Sequence, residues 1–487
     1  MEKQRFQWDT SKLIITICCF AVMLIFWLLP APEPLTPIGM KVIGVFIGTV
    51  VLLSTVNTVW PAILAVVLLS LTGVVNLNGA IAGTLGGWVV YFVLMSFIMT
   101  YALNESGFTS RLVAKFMSQK FVSKSPWTFT ISLGVLGMIL GAFIDQVPAA
   151  AFMLAFNAKI YQELGYTEKD KYPHIANIFS IFGVNIGGAM TPISHSLIIL
   201  GLGVYEGATG QSISLFNYLL YGIPTGIVLF ILMSLIFRYT VKADFSKFDN
   251  FDVSRVLDKQ GPMTLKEKSV VTIFFLTVAM WIIPGILKMI APASDFVVKL
   301  NSYSITFWAI LAVVVLAVVC INKEPLINIK EVVNHNINWA ILIFIAIGCY
   351  FGSALCDEAT GVNAFMAAKV APLTANVSPI IVVLIIALAT VLMTNFASNV
   401  STITVMTTVG VGLAMSTGNI GAAAIAMVTS FCGSAAYLMP SSFATIAMLH
   451  GNEYSEKKDI YKYGLIMILV TTLVVTFIGY TIGNALV

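Results

Sequence analysis

The chain of 487 residues is 59% hydrophobic and only 10% charged, and its mean hydropathy is +0.95. These values exclude a soluble globule, whose surface would need more charged side chains, and they indicate an integral membrane protein. The apolar stretches reach the roughly 20 residues that a helix needs to cross a bilayer, and strand-like alternation is absent. We therefore predict an all-α polytopic membrane protein. The net charge of +4 forms no basic stripe, so no nucleic-acid partner is expected.

The first apolar run, at about residues 13–29, ends in a proline-rich stretch and has no small-residue cleavage site. It predicts a retained first helix rather than a signal peptide. Lys3, Arg5 and Lys12 precede this helix, and basic residues beside a span favour the cytoplasmic side. We therefore expect a multi-pass protein of the cell (plasma) membrane with a cytoplasmic N-terminus. The polar segment 239–268 is rich in Lys and Arg and is expected in the cytoplasm too.

Two halves of the chain, divided by the segment 239–268, follow one plan. The first contains Asp145-Gln146-Val147-Pro148, and the second contains Ser398-Asn399-Val400-Ser401, 253 positions later. In both halves a Phe lies two residues before the motif, and a Ser-Pro pair begins 20 residues before it. A duplication of this length predicts a transporter of two inverted repeats, with about eleven membrane-spanning helices and a binding site where the halves meet.

Each half also contains two interruptions of its apolar runs. The runs 127–156 and 380–414 carry polar residues in the middle and are too long for one span. They predict two re-entrant helical hairpins with polar tips near residues 145 and 398. A later helix in each half is expected to be broken, near 187–195 and near 440. The residues that we expect to unwind these two helices are Gly187, Gly188, Pro192, Gly433 and Pro440.

Hairpin tips of this kind suit an anionic substrate. Each tip presents the N-terminus of its second half-helix, where unpaired N–H groups and the helix dipole attract negative charge. Two inverted tips that meet at the midplane fit a substrate with two carboxylates, one held by each tip. The carbonyls freed in the broken helices are natural ligands for Na⁺.

Ser398-Asn399-Val400 in a hairpin, a broken helix after it and the paired arrangement upstream resemble the divalent anion:sodium symporter family. This family comprises the INDY-type transporters of citrate, succinate, malate and oxoglutarate, and the resemblance covers nearly the whole chain from about residue 36. It implies a homodimer in which a scaffold domain holds the dimer contact. A transport domain, which contains both hairpins and both broken helices, moves as an elevator.

The resemblance implies a division of the chain into five parts. Residues 1–103 form scaffold helices and the start of the first repeat, and residues 104–204 form the first part of the transport domain. Residues 205–336 form further scaffold helices together with the cytoplasmic segment. Residues 337–450 form the second part of the transport domain, and residues 451–487 form a C-terminal helix.

The sequence departs from the family pattern at the expected sodium sites. The family has Ser-Asn-Thr at both tips, whereas here both Thr hydroxyls are missing and the first tip begins with Asp145. The loops in the broken helices also differ from the family's Gly-Thr-Pro-Pro-Asn-like pattern. We therefore expect no cofactor and no firm metal site. The remaining Na⁺ candidates are Gly187, Gly188, Ser398 and Asn399.

The predicted substrate contacts are Gln146, Val147, Pro148, Thr191, Pro192, Ser398, Asn399, Val400, Ser401, Pro440, Ser441 and Ser442. A dianion in a site of low dielectric constant needs compensating charge. Asp145 and His195 are the ionisable residues near the first tip, and we hypothesise that they pair, with the imidazolium serving the substrate. The alternatives are that Asp145 caps a helix and that His195 bonds freed backbone.

A carrier without a co-transported cation can exchange one dicarboxylate for another, because only the loaded transport domain moves. The sequence therefore favours an obligate exchanger of C4/C5 dicarboxylates such as succinate, malate, fumarate and oxoglutarate. The alternatives are a Na⁺-coupled dicarboxylate or citrate symporter, a transporter of sulfate or arsenite, a channel and a sensor. No nucleophile elbow, phosphate loop or HExxH motif supports an enzyme. The six Cys lie mostly in apolar runs and are expected to be small core residues.

Overall fold

The computed structural model describes residues 9–248, 261–370, 372 and 377–486, and regular structure in these ranges is almost entirely helical. Within them, ten helices are long and apolar enough to cross a membrane, or eleven if a bent pair counts as one span. The predicted all-α class and the helix number are thus confirmed. Residues 249–260 of the expected cytoplasmic segment lie outside the described residues.

The first half of the chain forms eleven described helices. They are α1 (Thr10–Leu28), α2 (Pro37–Thr55), α3 (Trp60–Thr72), α4 (Leu77–Leu85), α5 (Trp88–Glu105), α6 (Phe108–Met117), α7 (Pro126–Phe143), α8 (Gln146–Leu164), α9 (Lys171–Met190), α10 (Ser196–Thr209) and α11 (Leu215–Thr240). Short 3₁₀ turns lie at Val122–Lys124 and Ser246–Phe248.

The second half repeats this order. Its described helices are α12 (Leu265–Ile290), α13 (Asp295–Ser302), α14 (Ile305–Val318), α15 (Ile329–His335), α16 (Trp339–Cys356), α17 (Val362–Phe365), α18 (Pro379–Phe396), α19 (Asn399–Thr417), α20 (Ala422–Gly433), α21 (Ala444–Gly451), α22 (Lys457–Val474) and α23 (Tyr480–Ala485). The strands β1 (Cys320–Ile321) and β2 (Glu324–Pro325) pair antiparallel, a 3₁₀ turn lies at Glu358–Thr360, and π-helical turns lie at Met366–Val370 and Val475–Gly479.

The two repeats are inverted, as the contacts of α5 and α16 demonstrate. These helices precede the first hairpin (α7 and α8) and the second hairpin (α18 and α19), respectively. Asn104, at the end of α5, lines the same cavity as Asn338, which is the N-cap of α16. The end of one helix therefore lies at the same cavity as the start of its counterpart, which is the antiparallel arrangement expected of inverted repeats.

Both hairpins and both broken helices share one hydrophobic core, and we call helices α7–α11 and α18–α23 the hairpin bundle. Its aromatic contacts include Phe237 of α11 stacked on Tyr463 of α22, with ring centroids 4.3 Å apart. A second core joins α5, α12, α14 and α16 and also includes one side of α10, through Leu197, Ile199, Leu200 and Val204, and a third joins α2, α3 and α16. We call α2, α3, α5, α12, α14 and α16 the flanking bundle.

The first broken helix corrects one expectation. Gly187 and Gly188 do not unwind it, because both lie inside α9, and the break spans 191–195 instead. A Cβ at Gly187 would lie 2.0 Å from the carbonyl oxygen of Met138, and one at Gly188 would lie 1.9 Å from Nε2 of Gln146. The two glycines thus allow α9 to pack closely on the first hairpin. The second break, at 434–443, agrees with the expected position near residue 440.

Substitution of a buried helical glycine tests this packing. We expect Gly187→Ala to lower the free energy of unfolding by about 1–3 kcal/mol, because the new methyl group displaces backbone. Gly412→Ala is the matched control, since a Cβ there meets nothing within 4 Å. It should be neutral or stabilising by up to about 1 kcal/mol, because Ala favours the helix. Thermal unfolding in detergent measures both, and equal shifts would contradict the packing role.

Candidate functional site

The tip of the first hairpin lies between α7 and α8, and Asp145 is the N-cap of α8. Its Oδ1 accepts a hydrogen bond of 3.0 Å from the backbone N–H of Val147. The next residue, Gln146, is buried and donates from Nε2 to the carbonyl oxygen of Asn185 at 3.2 Å, while its Oε1 has no partner. The carboxylate of this tip therefore serves the N-terminus of its own helix.

The tip of the second hairpin is built differently. Ser398 is the N-cap of α19, but its side chain makes no capping hydrogen bond. The buried Asn399 accepts a bond of 2.8 Å from the hydroxyl of Thr394, and its Nδ2 is buried without a partner. The backbone N–H of Asn399 donates to the carbonyl oxygen of Ser442 at 3.4 Å, so Nδ2 of Asn399 and the later N–H groups of the first turn of α19 remain to meet a ligand at this tip.

The break in the first broken helix is tied to the end of α7 by two hydroxyls. Thr191 donates to the carbonyl oxygen of Ala142, and Ser194 donates to that of Gly141, both at 2.6 Å. These carbonyls belong to the last turn of α7, where no intrahelical N–H is available. The break therefore satisfies the backbone of the first hairpin.

Asn395, in the last turn of α18, holds the break in the second broken helix. Its Oδ1 accepts hydrogen bonds from the backbone N–H groups of Tyr437 and Leu438, at 2.7 and 2.9 Å. Its Nδ2 donates to the carbonyl oxygens of Val391 and Ala435, at 2.8 and 2.9 Å. One buried amide thus uses its full hydrogen-bonding capacity to replace bonds that a continuous helix would make.

Asn185 of α9, in the first repeat, bonds the second break and the helix that follows it. It donates to the carbonyl oxygen of Ala436 at 2.7 Å and accepts from Thr445 Oγ1 at 2.8 Å. The hydroxyl of Thr394, which also faces Asn399 Oδ1, lies within hydrogen-bond distance of the carbonyl oxygen of Gly433, so its one proton is shared between the two acceptors. Carbonyls at the broken helices therefore have hydrogen-bond donors from side chains of the chain itself.

A cavity of about 530 Å³ lies between the hairpin bundle and the flanking bundle. From the hairpin bundle it is lined by Ile144, Asp145, Val147, Pro148, His195, Ser196, Leu197, Val400, Phe443 and Ala444. From the flanking side it is lined by Phe97, Thr100, Tyr101, Asn104, Asn336, Asn338 and Ile341. Among the described residues no Lys or Arg lines it, so the chemistry of this cavity depends on polar side chains and backbone.

Four helix N-termini meet at this cavity, because residues in the first turns of α8, α10, α19 and α21 line it. Asp145 caps α8, whereas the N-caps of the other three, His195, Ser398 and Phe443, make no side-chain capping bond. Each of these N-termini carries unpaired N–H groups and a partial positive charge. The cavity is therefore suited to an anion.

Asp145 and His195 line the same cavity, but no ion pair joins them among the described residues. His195 is only 3% exposed, its Nε2 has no partner, and its ring packs edge-on against Phe443 with centroids 5.8 Å apart. The contacts of Asp145 are those of a helix N-cap, which was the alternative to an ion pair with His195. His195 is left with a free ring nitrogen.

The predicted substrate contacts separate into two groups. Val147, Pro148 and Val400 line the cavity, whereas Ser401 accepts a bond of 2.7 Å from Ser54 of α2 and Thr191 bonds the first hairpin. The other predicted contacts are not among the residues that line this cavity. These residues are Gln146, Pro192, Ser398, Asn399, Pro440, Ser441 and Ser442.

Sequence reasoning missed the asparagines of the flanking side, Asn104, Asn336 and Asn338. The only available signal was polarity at the ends of apolar runs, which interfacial solvation explains equally well. Asn185 was also missed, because a single amide inside an apolar helix has no motif.

The family model of the sodium:sulfate symporter transmembrane region matches residues 10–487. The chain belongs to this family. The resemblance to the divalent anion:sodium symporters is therefore confirmed, and the protein is a membrane transporter rather than an enzyme.

Curated members of this family include sodium-dependent dicarboxylate transporters named SdcS. The one from Staphylococcus saprophyticus is 22% identical over 426 residues, which cover 83% of this chain and 79% of the relative. The one from Staphylococcus aureus strain MRSA252 is 25% identical over 58% of this chain. That second alignment spans 56% of the relative's own length.

Two solved transporters share the fold of this family member. The YdaH transporter of Alcanivorax borkumensis has a TM-score of 0.56 at 12% identity, with 96% of this chain and 97% of that chain covered. The MtrF protein of Neisseria gonorrhoeae, described as an antimetabolite efflux pump, also gives 0.56, at 11% identity over 96% and 94%. At these identities the likeness concerns the fold alone.

Asn395 offers a test of the polar frame around the breaks. We expect Asn395→Ala to abolish transport and to lower stability, because each of the two N–H groups left unpaired costs about 1–3 kcal/mol. Asn217→Ala is the control, since Asn217 Nδ2 makes one long bond of 3.5 Å to Leu486. Thermal unfolding and uptake should change little in the control. Equal effects of the two substitutions would contradict the assignment.

Proposed function

We propose that this family member carries C4/C5 dicarboxylates across the cell membrane as an obligate exchanger. The observation that carries the proposal is the cavity of about 530 Å³ with three uncapped helix N-termini and no lysine or arginine in its described lining. Helix N-termini bind carboxylates through backbone N–H groups. The curated relatives named as dicarboxylate transporters support the same class of substrate.

The cavity also suits the part of a dicarboxylate between its charges. Val147, Val400 and Phe443 give it apolar surface, while Asn104 and Asn338 offer amides on the flanking side. A short chain of methylene groups with a carboxylate at each end would contact both kinds of wall. A single tetrahedral anion such as sulfate would leave the apolar surface unused, so we favour a dicarboxylate.

Exchange is favoured over sodium symport by the pairing at the breaks. The carbonyls of Gly433, Ala435 and Ala436, which could otherwise coordinate a cation, accept hydrogen bonds from Thr394, Asn395 and Asn185. These side-chain donors then satisfy the carbonyl oxygens that Na⁺ would coordinate in a coupled carrier. Na⁺ symport is the alternative, supported by the names of the curated relatives.

An elevator motion of the hairpin bundle against the flanking bundle would carry the site across the membrane. Side-chain hydrogen bonds between the bundles include Ser54 with Ser401, and Trp88 with Glu206 at 3.0 Å. We assign the hairpin bundle to the transport domain, which then extends beyond residue 204 to include α11. The flanking bundle with α1 would form the scaffold and the homodimer contact.

The cavity reaches the cytoplasmic side in this proposal. Arg111 of α6, just after α5, pairs with Glu267 of α12 and bonds the carbonyl oxygen of Gly261. The end of α5 therefore lies on the face where the basic segment 239–268 joins α12. Basic segments favour the cytoplasm, which supports our proposal of an inward-facing cavity and a cytoplasmic N-terminus.

Uptake into proteoliposomes tests the mode of transport. We expect labelled succinate to enter vesicles preloaded with malate and to enter empty vesicles no faster than protein-free controls. Replacement of Na⁺ by choline should leave the rate unchanged, because no cation is carried. Na⁺-dependent uptake into empty vesicles would establish symport instead. Absence of any dicarboxylate uptake, with sulfate uptake retained, would overturn the substrate class.

His195 provides a test of the site itself. If its free Nε2 contacts the dianion, His195→Ala should raise KM by about tenfold or more, because a hydrogen bond to a charged group contributes about 1.5–3 kcal/mol. His195→Gln should restore part of the affinity. His335→Ala removes an exposed imidazole and should behave as wild type. Unchanged transport by His195→Ala from about pH 5 to 8 would exclude a role for His195.

A further inference from the structure

Three side chains of types that can bind metals lie close together on the hairpin bundle, and none of them lines the cavity between the two bundles. His174 lies in the first turn of α9, Glu456 is the N-cap of α22, and Asp459 lies in the first turn of α22. Nδ1 of His174 is 3.5 Å from Oε2 of Glu456 and 3.8 Å from Oδ2 of Asp459. One ligand atom from each residue lies within 4.8 Å of the others.

The hydrogen bonding of His174 leaves one ring nitrogen available. Nε2 lies 2.7 Å from the carbonyl oxygen of Glu168, which can only accept, so Nε2 carries the proton. Nδ1 is buried and has no hydrogen-bond partner, and the whole residue is only 7% exposed. In the neutral ring, the lone pair of Nδ1 faces two carboxylates that cannot donate a hydrogen bond. A proton on Nδ1, which would pair with both carboxylates, or a bound cation would remove this conflict.

Lys171 is the residue that competes for this position. Its ammonium bonds both oxygens of Asp459, whose side chain is 5% exposed, whereas the lysine side chain is 43% exposed. The ammonium can therefore turn towards solvent, and an incoming cation would take its place as the partner of the buried Asp459 carboxylate. With a neutral imidazole, the cluster carries two negative charges and one positive charge, which leaves a net charge of −1 for an incoming cation.

We propose that His174, Glu456 and Asp459 bind a divalent transition metal of the Zn²⁺ type, which displaces Lys171. A tetrahedral site with bonds of about 2.0–2.1 Å holds its ligands about 3.3 Å apart, so the two distances of 3.5 and 3.8 Å from Nδ1 require only a small contraction, while the two carboxylates lie within 4.8 Å of each other and would have to approach. One imidazole and two carboxylates suit Zn²⁺, whereas Mg²⁺ and Ca²⁺ prefer oxygen ligands alone. A water completes the coordination.

The bonded Nε2 is the second feature of a metal site. A metal-ligating histidine usually donates its other N–H to a carbonyl or carboxylate, which fixes the ring. The chain around the site is also held in place, because Asn177 donates to Asn452 Oδ1 at 3.0 Å and to the carbonyl oxygen of Tyr454 at 3.2 Å. The metal would therefore join the start of α9 in the first repeat to the start of α22 in the second.

Titration of full-length, tag-free protein in detergent with Zn²⁺ tests this site. Calorimetry should give one ion per chain, and Co²⁺ in place of Zn²⁺ should give the visible absorption of a tetrahedral site. His174→Ala should weaken binding by about tenfold or more, because one of three ligands is lost. Glu456→Gln keeps the shape of an exposed side chain and should weaken binding without loss of fold.

Lys171→Met should have the opposite effect and tighten binding, because the competing ammonium is removed while the ligands stay. His335→Ala is the control for nonspecific binding to an exposed imidazole. If the site exists, His174→Ala must weaken Zn²⁺ binding and Lys171→Met must tighten it. The proposal is overturned if neither wild type nor Lys171→Met binds an ion saturably at one per chain, or if Glu456→Gln and His174→Ala leave binding unchanged.

Discussion

A broken helix inside a membrane must find partners for the backbone groups that the break releases, because no bulk water is available there. In this chain side chains supply those partners. Asn395 bonds two N–H groups and one carbonyl of the second broken segment, and Asn185 bonds that segment from the other repeat. Thr191 and Ser194 likewise donate hydrogen bonds to the carbonyl oxygens at the end of α7. The positions of both hairpin tips depend on these few bonds.

At both breaks, the backbone carbonyls and the N–H groups at the helix starts differ in how they are satisfied. Carbonyl ends are satisfied within the protein, whereas the N–H ends of α10, α19 and α21 have no side-chain cap and begin beside the cavity. These N-termini thus bring partial positive charge to a cavity whose described lining contains no lysine or arginine and includes the carboxylate of Asp145. Under the proposed function, such a site would attract an anion without burying a permanent cation, which avoids a large desolvation cost when the site is empty.

The sequence predicted the architecture well, because a duplication leaves visible marks such as Phe143 and Phe396 at one offset from the tips. It failed at Gly187 and Gly188, since glycine serves unwinding and close packing equally and only the contact with Met138 distinguishes the two. It also missed Asn104 and Asn338, which reach the cavity only after α5 and α16 pack antiparallel. Tertiary contacts of this kind have no local pattern in the chain.

The two hairpin tips differ in their capping, so the two repeats contribute differently to the site. At the first tip, the carboxylate of Asp145 occupies the N-terminus of α8, so an anion there would meet a negative charge. At the second tip, Ser398 does not cap α19, and the buried Nδ2 of Asn399 has no partner. Inverted repeats offer two equivalent half-sites only when their tips match. Under the proposed function, the anion would therefore be attracted mainly by α19, α10 and α21, and the first repeat would contribute through the broken helix and His195 rather than through its hairpin tip.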